Sequence, residues 1–306
     1  GSDAKAKLEQ MLNVTVSSPS VTLRLLSVAW ASTVFKTQAL HGLFLVIQAT
    51  GDAEESVSQE AEKLLKWERL QEEAGKGAVS TLKMHEYFVK RHGGADNDRV
   101  LMTMIKAIRC VRTGELRHAR EDLGLSSSPL LTQGLRSEAK ETVLEAVQLL
   151  LVEAYAGFGV QVDPSIFRTL MGHANLMVRK GAARLFACTS SLELLEGVMD
   201  NLLRLSIKKD FEKMESFCLC LSLRLGHAAA AGVELPSSLT DRFHNYWMDD
   251  EAIDSLSRAL CESVGIMAAC NVGGIEYSRY TIKLKKLAES TAVSTVKEAV
   301  LALGRI

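Results

Sequence analysis

The chain has 306 residues, of which 47% are hydrophobic and 24% charged, and its formal net charge at pH 7 is −1. This composition is typical of a folded globular protein and excludes a disordered chain. The near-zero net charge gives no overall attraction to nucleic acid or anionic membranes, and no apolar run reaches the ~18 residues of a membrane span. The six cysteines lie in apolar stretches without a CxxC pair, which predicts buried thiols in a reducing compartment.

The first part of the chain predicts helices of uneven length and polarity. Gly1-Ser2 is typical of a cloning scar and is set aside from the fold. Residues 3–123 are predicted as an irregular helical region, which begins with a short amphipathic helix and two strongly apolar helices. The Ser- and Gly-rich stretch that contains Pro129 predicts a loop over 124–135. A repeat array is then expected over 136–306.

The C-terminal part repeats one helical phrase at constant spacing. Gly226, Gly265 and Gly304 each close an apolar phrase, and the first two glycines are as far apart in sequence as the last two. A fixed period near 40 in helical sequence is typical of a solenoid, in which each helix pair buries its apolar face against the next pair. The chain stops at the end of such a phrase, so we expect a fragment of a longer protein. No stretch predicts a strand, and the fold class is predicted as all-α.

In the unit 164–186, Pro164 opens the first helix, Asn175 lies in the turn, and Val178-Arg179 starts the second helix. This unit resembles a HEAT repeat of the HEAT/armadillo superfamily. The family pattern has a proline that opens the first helix, an Asn or Asp in the turn, and a Val-Arg pair that starts the second helix. Alanines and a leucine follow. The residues that match are Pro164, Asn175, Val178, Arg179, Ala182, Ala183 and Leu185. Residues 296–304 match more loosely, with Lys297 in the basic position.

The resemblance implies a right-handed α-solenoid of antiparallel hairpins with a period of about 39 residues, which lies within the range of helical repeat proteins. It also implies that the basic residue, Arg179 or Lys297, reaches the turn of a neighbouring repeat and is structural. In such a fold the second helices form a concave wall whose outward polar residues bind a partner. The residues predicted for this wall are Lys180, Arg184, Lys213, Asp254, Arg258 and Glu298.

Three aromatic residues near the end of a predicted helix form a second candidate site. Phe243, Tyr246 and Trp247 lie in a polar stretch, and aromatic side chains of this kind serve as anchors in protein interfaces. Packing in the core is the other interpretation of this group. Both stay open on the sequence alone.

Catalytic and cofactor motifs are missing from the sequence. Neither Gly75-Lys76-Gly77 nor Gly157-Phe158-Gly159 completes a phosphate-binding loop, and the seven histidines show no helical metal-ligand spacing. We therefore expect no enzyme, no cofactor and no bound metal. Each glycine pair is interpreted as a helix terminator.

The predicted function is a protein-interaction scaffold that binds another protein or peptide within a larger complex. The alternative is a nucleic-acid-binding solenoid that uses short basic clusters, such as Lys283, Lys285 and Lys286. We expect a cytoplasmic location, with a nuclear one left open.

Overall fold

Helices make up the regular structure of the chain. The computed structural model describes residues 2–34, 40–91, 97–118, 120–189, 210–234 and 254–306, together with positions 197–198, 200–201, 204–205, 208, 237–238, 241 and 244. These residues contain fifteen α-helices and no strand, which confirms the predicted all-α class. The chain forms two compact units, residues 1–161 and 162–306. The predicted array began at residue 136, so the observed division falls later in the chain.

The first unit contains nine helices among its described residues. Their bounds are α1 Ser2–Thr15, α2 Val21–Val34, α3 Leu40–Thr50, α4 Glu55–Leu64, α5 Trp67–Gly75, α6 Thr81–Arg91, α7 Asp98–Glu115, α8 Pro129–Arg136 and α9 Lys140–Tyr155. Helix α7 begins where the side chain of Asn97 accepts a hydrogen bond from the Arg99 amide, which satisfies one of the free donors of the first turn. The core includes Leu101, Met104, Ile105 and Ile108 of this helix, all buried.

The loop predicted over 124–135 is wrong, because most of it is helical. A 3-10 turn spans Leu125–Ser127 and helix α8 follows from Pro129. Proline lacks an amide hydrogen but fits the first helical position, where that donor would be free anyway. Leu130, Leu131 and Leu135 are buried and hold the short helix against its neighbours. The Ser- and Pro-rich pattern therefore marks a helix start here.

Glycine ends the last helix of the first unit. Gly157 has φ of 90°, a left-handed conformation that residues with a side chain rarely adopt. The Phe158 amide then donates to the Glu153 carbonyl, as in a Schellman C-cap. The prediction that Gly157-Phe158-Gly159 is a helix terminator is confirmed.

The second unit contains six α-helices among its described residues. Their bounds are α10 Pro164–Met171, α11 Leu176–Thr189, α12 Phe211–Ala230, α13 Asp254–Ala269, α14 Ser278–Ala288 and α15 Val293–Leu303. Asp163 caps α10 by accepting from the Ser165 amide, and Asp210 caps α12 by accepting from the Lys213 amide. Helix α10 packs on α11 and α14 packs on α15. None of the helices described here is long and apolar enough to cross a membrane.

Candidate interaction surface

Helices α11, α12, α13 and α15 pack side by side in chain order, and we call them the C-terminal helix series. Near the start of α11 and α12, Arg179 Nε lies 3.2 Å from Ser216 Oγ. Further along both helices, His227 Nδ1 lies 3.2 Å from the Ala187 carbonyl oxygen. Both neighbours therefore run in the same direction, with a sequence offset close to the repeat period.

The next pairs of neighbours in this series, α12 with α13 and α13 with α15, also run in the same direction, with sequence offsets close to the repeat period. Arg258 of α13 pairs with Glu215 near the start of α12. Near the other end, a Cβ added to Gly226 would lie 2.9 Å from Cys270 Sγ. A Cβ added to Gly265 of α13 would lie 3.4 Å from the Ala302 Cα of α15. The predicted glycine phrase therefore lies where helices approach closely.

Helices α5, α7 and α9 form an N-terminal helix series of the same kind within the first unit. Lys106 Nζ lies 4.4 Å from the ring centre of Trp67, and Arg109 Nε lies 2.8 Å from Glu145 Oε2. Trp67, Lys106 and Glu145 follow one another at the same spacing as the three C-terminal glycines. The period thus reaches into the region that the sequence analysis predicted as irregular.

Charged side chains connect three helices of the C-terminal series. Lys180 Nζ of α11 lies 3.9 Å from Glu215 Oε1 of α12 and 3.5 Å from Glu262 Oε2 of α13. Arg258 of α13 donates to Glu215 as well. We call these four residues the ion-pair cluster. Glu215 is buried, whereas the other three side chains keep about a fifth to a quarter of their exposure.

The ion-pair cluster contains two of the six residues predicted for the binding wall. Lys180 and Arg258 lie on helices of the same series as predicted, but each is engaged with buried Glu215. The charges of the two cations and the two carboxylates in the cluster sum to zero, so this part of the surface carries no net charge. A buried carboxylate that loses its cations is strongly unfavourable, so the main role of these contacts is structural.

Three of the other four predicted wall residues, Arg184, Lys213 and Glu298, lie on three different helices of the series. Arg184 is exposed on α11, and Lys213 forms an ion pair of 3.0 Å with Asp210 at the start of its own helix. Glu298 is half-buried on α15, and burial together with the Glu298 charge raises the pKa of the Cys261 thiol. Asp254 is the first residue of α13. Of these, Arg184 is the exposed cation on a helix of the series.

Arg179 is buried and binds the turn before its own helix as well as the next helix. Its guanidinium donates to the carbonyl oxygens of His173 at 2.7 Å and Ala174 at 2.8 Å, both in the turn before α11. The resemblance implied a contact with an Asn or Asp of a neighbouring turn. The observed acceptors are instead these carbonyls and Ser216 of the next helix. Lys297, in the corresponding position of α15, is exposed.

A second buried charge pair connects α7 to α9. Arg112 Nε lies 2.6 Å from Glu153 Oε1, and the guanidinium stacks 5.0 Å from the ring centre of Phe158. It also donates to the Glu121 carbonyl. Burial raises the pKa of Glu153, while the Arg112 charge and hydrogen bond oppose that shift. Both side chains are almost fully buried, so this pair joins the helices and offers nothing to a ligand.

Sequence reasoning missed Glu215, Arg112 and Glu153. The signal was present: Glu215 stands between Met214 and a long apolar run, and Arg112 follows Val111 on an apolar helix face. A charge at such a position is buried, and a buried charge needs a partner of opposite sign. The partner lies about one period away on the next helix of the series.

The structure describes some of the remaining candidate residues and leaves others outside the described ranges. Phe243, Tyr246 and Trp247 lie outside the described residues. Buried thiols were predicted for all six cysteines; Cys218, Cys220 and Cys261 are buried, whereas Cys110, Cys188 and Cys270 are half-buried. Burial raises the pKa of the Cys218 and Cys261 thiols to about 12. Among the described residues, no group of three His, Cys, Asp or Glu side chains is placed to hold a metal ion.

Comparisons with known proteins leave the family open. No protein-family model matches the chain, and no curated protein matches it.

Proposed function

We propose that the chain is a right-handed α-solenoid of HEAT-like hairpins and that it serves as a non-catalytic scaffold for a protein partner. The repeated sequence offset between neighbouring helices, close to one period in both helix series, supports this architecture. A helix that meets its equivalent one period later, in the same direction, is what stacked hairpins produce. The contacts of α10 with α11 and of α14 with α15 support two such hairpins.

The charge balance of the ion-pair cluster is the observation that favours a protein partner over nucleic acid. Nucleic-acid binding requires a row of uncompensated cations along the phosphates. Lys180 and Arg258 are instead neutralised by Glu215 and Glu262. A surface with both signs, beside the exposed cation Arg184, suits a protein with mixed charges.

The partner surface proposed here is the exposed edge of the C-terminal helix series around Arg184. The aromatic group Phe243, Tyr246 and Trp247 stays part of the hypothesis as a source of anchors. Nucleic-acid binding through the exposed lysines Lys285 and Lys286 of α14 is the competing outcome.

Affinity capture from lysate with matched variants tests the proposal. Arg184→Glu should lose at least one protein that the wild-type chain retains after nuclease treatment, with an unchanged melting temperature. Arg168→Glu is the control, because Arg168 is equally a surface cation of the same unit but lies on α10, outside the helix series. Captured material that disappears with nuclease in every variant would favour the nucleic-acid alternative. Identical protein capture by both variants would contradict the proposed surface.

A further inference from the structure

A small apolar pocket lies where helix α4 ends and helix α5 begins, within the first unit. Its walls come from α3, from the end of α4, from α5 and from the turn after α5, and its volume is about 120 Å³. The apolar residues that line it are Leu43, Leu64, Leu65, Leu70, Ala78 and Val79. An apolar cavity of ~150 Å³ binds one benzene molecule, so this pocket suits a single ring or one branched aliphatic group.

The wall that follows α5 is held in place by hydrogen bonds on both of its sides. Gly77 has φ of 75°, the left-handed conformation that commonly ends a helix. The Ala78 amide donates to the Glu73 carbonyl oxygen at 2.9 Å. On the other side of the turn, the Thr81 amide donates to Glu115 Oε1 of α7 at 2.8 Å. The turn is therefore fixed by the fold, and the pocket is formed before a ligand binds.

Two cations beside this apolar lining have no partner of their own. Lys66 and Arg69 line the pocket, and both are exposed. Among the described residues, neither side chain forms an ion pair or donates a hydrogen bond. The third charged lining residue is Glu73, whose Oε1 lies 3.6 Å from Lys76 Nζ. The lining therefore keeps an excess of positive charge next to a cavity for one apolar group, which is the pattern of a site for an amphipathic anion.

We propose that this pocket binds a monocarboxylate that carries one apolar group, with the apolar group in the cavity and the carboxylate at Lys66 and Arg69. A guanidinium matches a carboxylate in shape and charge, and the Lys66 ammonium adds a second attraction. The Glu73 carboxylate in the same lining opposes a doubly charged phosphate, so the single charge of a carboxylate fits better. A free small acid and a peptide that ends in an aromatic residue share this chemistry. The site lies in the first unit and goes beyond the partner surface proposed around Arg184.

Titration of the full chain with 3-phenylpropionate, followed by methyl NMR, tests the proposal. The methyl signals of Leu43, Leu70 and Val79 should shift and saturate, and added salt should weaken the binding because the two cations are exposed. Acetate lacks the ring and 3-phenylpropanamide lacks the charge, so each should bind roughly tenfold more weakly. The compound 2-phenylethyl phosphate, with its second negative charge, should bind no more tightly than the acid.

Charge variants separate the two cations from the rest of the surface. Lys66→Gln combined with Arg69→Gln should weaken binding of 3-phenylpropionate roughly tenfold and leave binding of the amide unchanged. Lys63→Gln combined with Lys83→Gln is the matched control, because it removes the same charge from exposed side chains of the first unit that do not line the pocket. This control should bind the acid like the wild type.

A peptide arm distinguishes the two sources of the ligand. If acetyl-alanyl-phenylalanine binds more tightly than 3-phenylpropionate, the carboxylate belongs to a peptide end, and equal or weaker binding assigns it to a small acid. The absence of a saturable shift with either compound overturns the proposal. So does equal affinity for the acid and its amide, tighter binding of the phosphate, or unchanged affinity in the Lys66 and Arg69 double variant. The methyl spectrum of each variant shows whether its fold is intact.

Discussion

Glu215 is a buried carboxylate that holds three helices through the charges around it. Lys180 approaches it from α11 and Arg258 from α13. A carboxylate in this position would be unfavourable alone, and its removal leaves Arg258 without a carboxylate partner, whereas Lys180 keeps Glu262. The same logic applies to Arg112 and Glu153 in the first unit. Side chains of this kind set which helices are neighbours.

Glu215→Gln should therefore lower the free energy of unfolding by about 2 kcal/mol, the cost of leaving the partly buried Arg258 guanidinium without its carboxylate. The measurement is urea unfolding followed by circular dichroism. Glu212→Gln is the control, since Glu212 is exposed on the same helix, and its effect should stay within about 0.5 kcal/mol. Equal stability of the two variants would contradict the structural role given to the cluster.

His85 should make stability depend on pH. Burial lowers its pKa below the ordinary value of 6.5, with Glu86 opposing part of the shift, and its Nε2 lies 2.6 Å from Ser128 Oγ. As the pH falls through 6.5, the unfolded chain takes up the proton before the folded one does. Stability therefore decreases with falling pH until the folded His85 is protonated too.

His85→Gln keeps a polar group beside Ser128 but removes this titration. The urea midpoint of the variant should fall less than that of the wild type between pH 7.5 and pH 5.5. Other titrating groups contribute equally to both proteins, so the difference reports His85. The same pH dependence in both would show that burial does not govern its protonation.

At the scale of the element, close helix contacts are made through glycine. A Cβ added to Gly114 of α7 would lie 2.3 Å from the Gln71 carbonyl oxygen of α5, and backbone cannot move aside as a side chain can. Gly114→Ala should destabilise the first unit by about 2 kcal/mol through overpacking, which exceeds the ~1 kcal/mol that alanine gains as a helix former.

Thermal and urea unfolding of this variant should be compared with Gly159→Ala. An added Cβ at Gly159 meets nothing within 4 Å, so its stability should match the wild type. If Gly114→Ala were as stable as the wild type, α5 and α7 would not pack as closely as described.

The repeat period predicted the elements better than local residue types did. It marked Gly226 and Gly265 as equivalent positions, and a neighbouring helix approaches closely at both. It did not anticipate α8, since Ser and Pro favour both loops and helix starts, and burial of Leu130 and Leu131 decides between them. The partners of Arg179 also depended on packing, as the guanidinium binds carbonyls of its own turn.

For the molecule as a whole, the candidate site could be predicted only in part. The sequence identified Lys180, Arg184 and Arg258 as polar residues of the second helices. It could not show that Glu215 and Glu262 neutralise two of them, because the pairing depends on how neighbouring helices are rotated. What distinguishes Arg184 is its exposure, which is a property of the packed unit.

Site-specific photocrosslinking tests the scaffold function most directly. A photoreactive benzophenone amino acid at position 184 should give a protein adduct in cells that resists nuclease, because that position lies on the proposed partner surface. The same group at position 168, on α10, should give no such adduct. Adducts at 168 but not at 184, or adducts at 184 that nuclease removes, would contradict a protein partner bound along the C-terminal helix series.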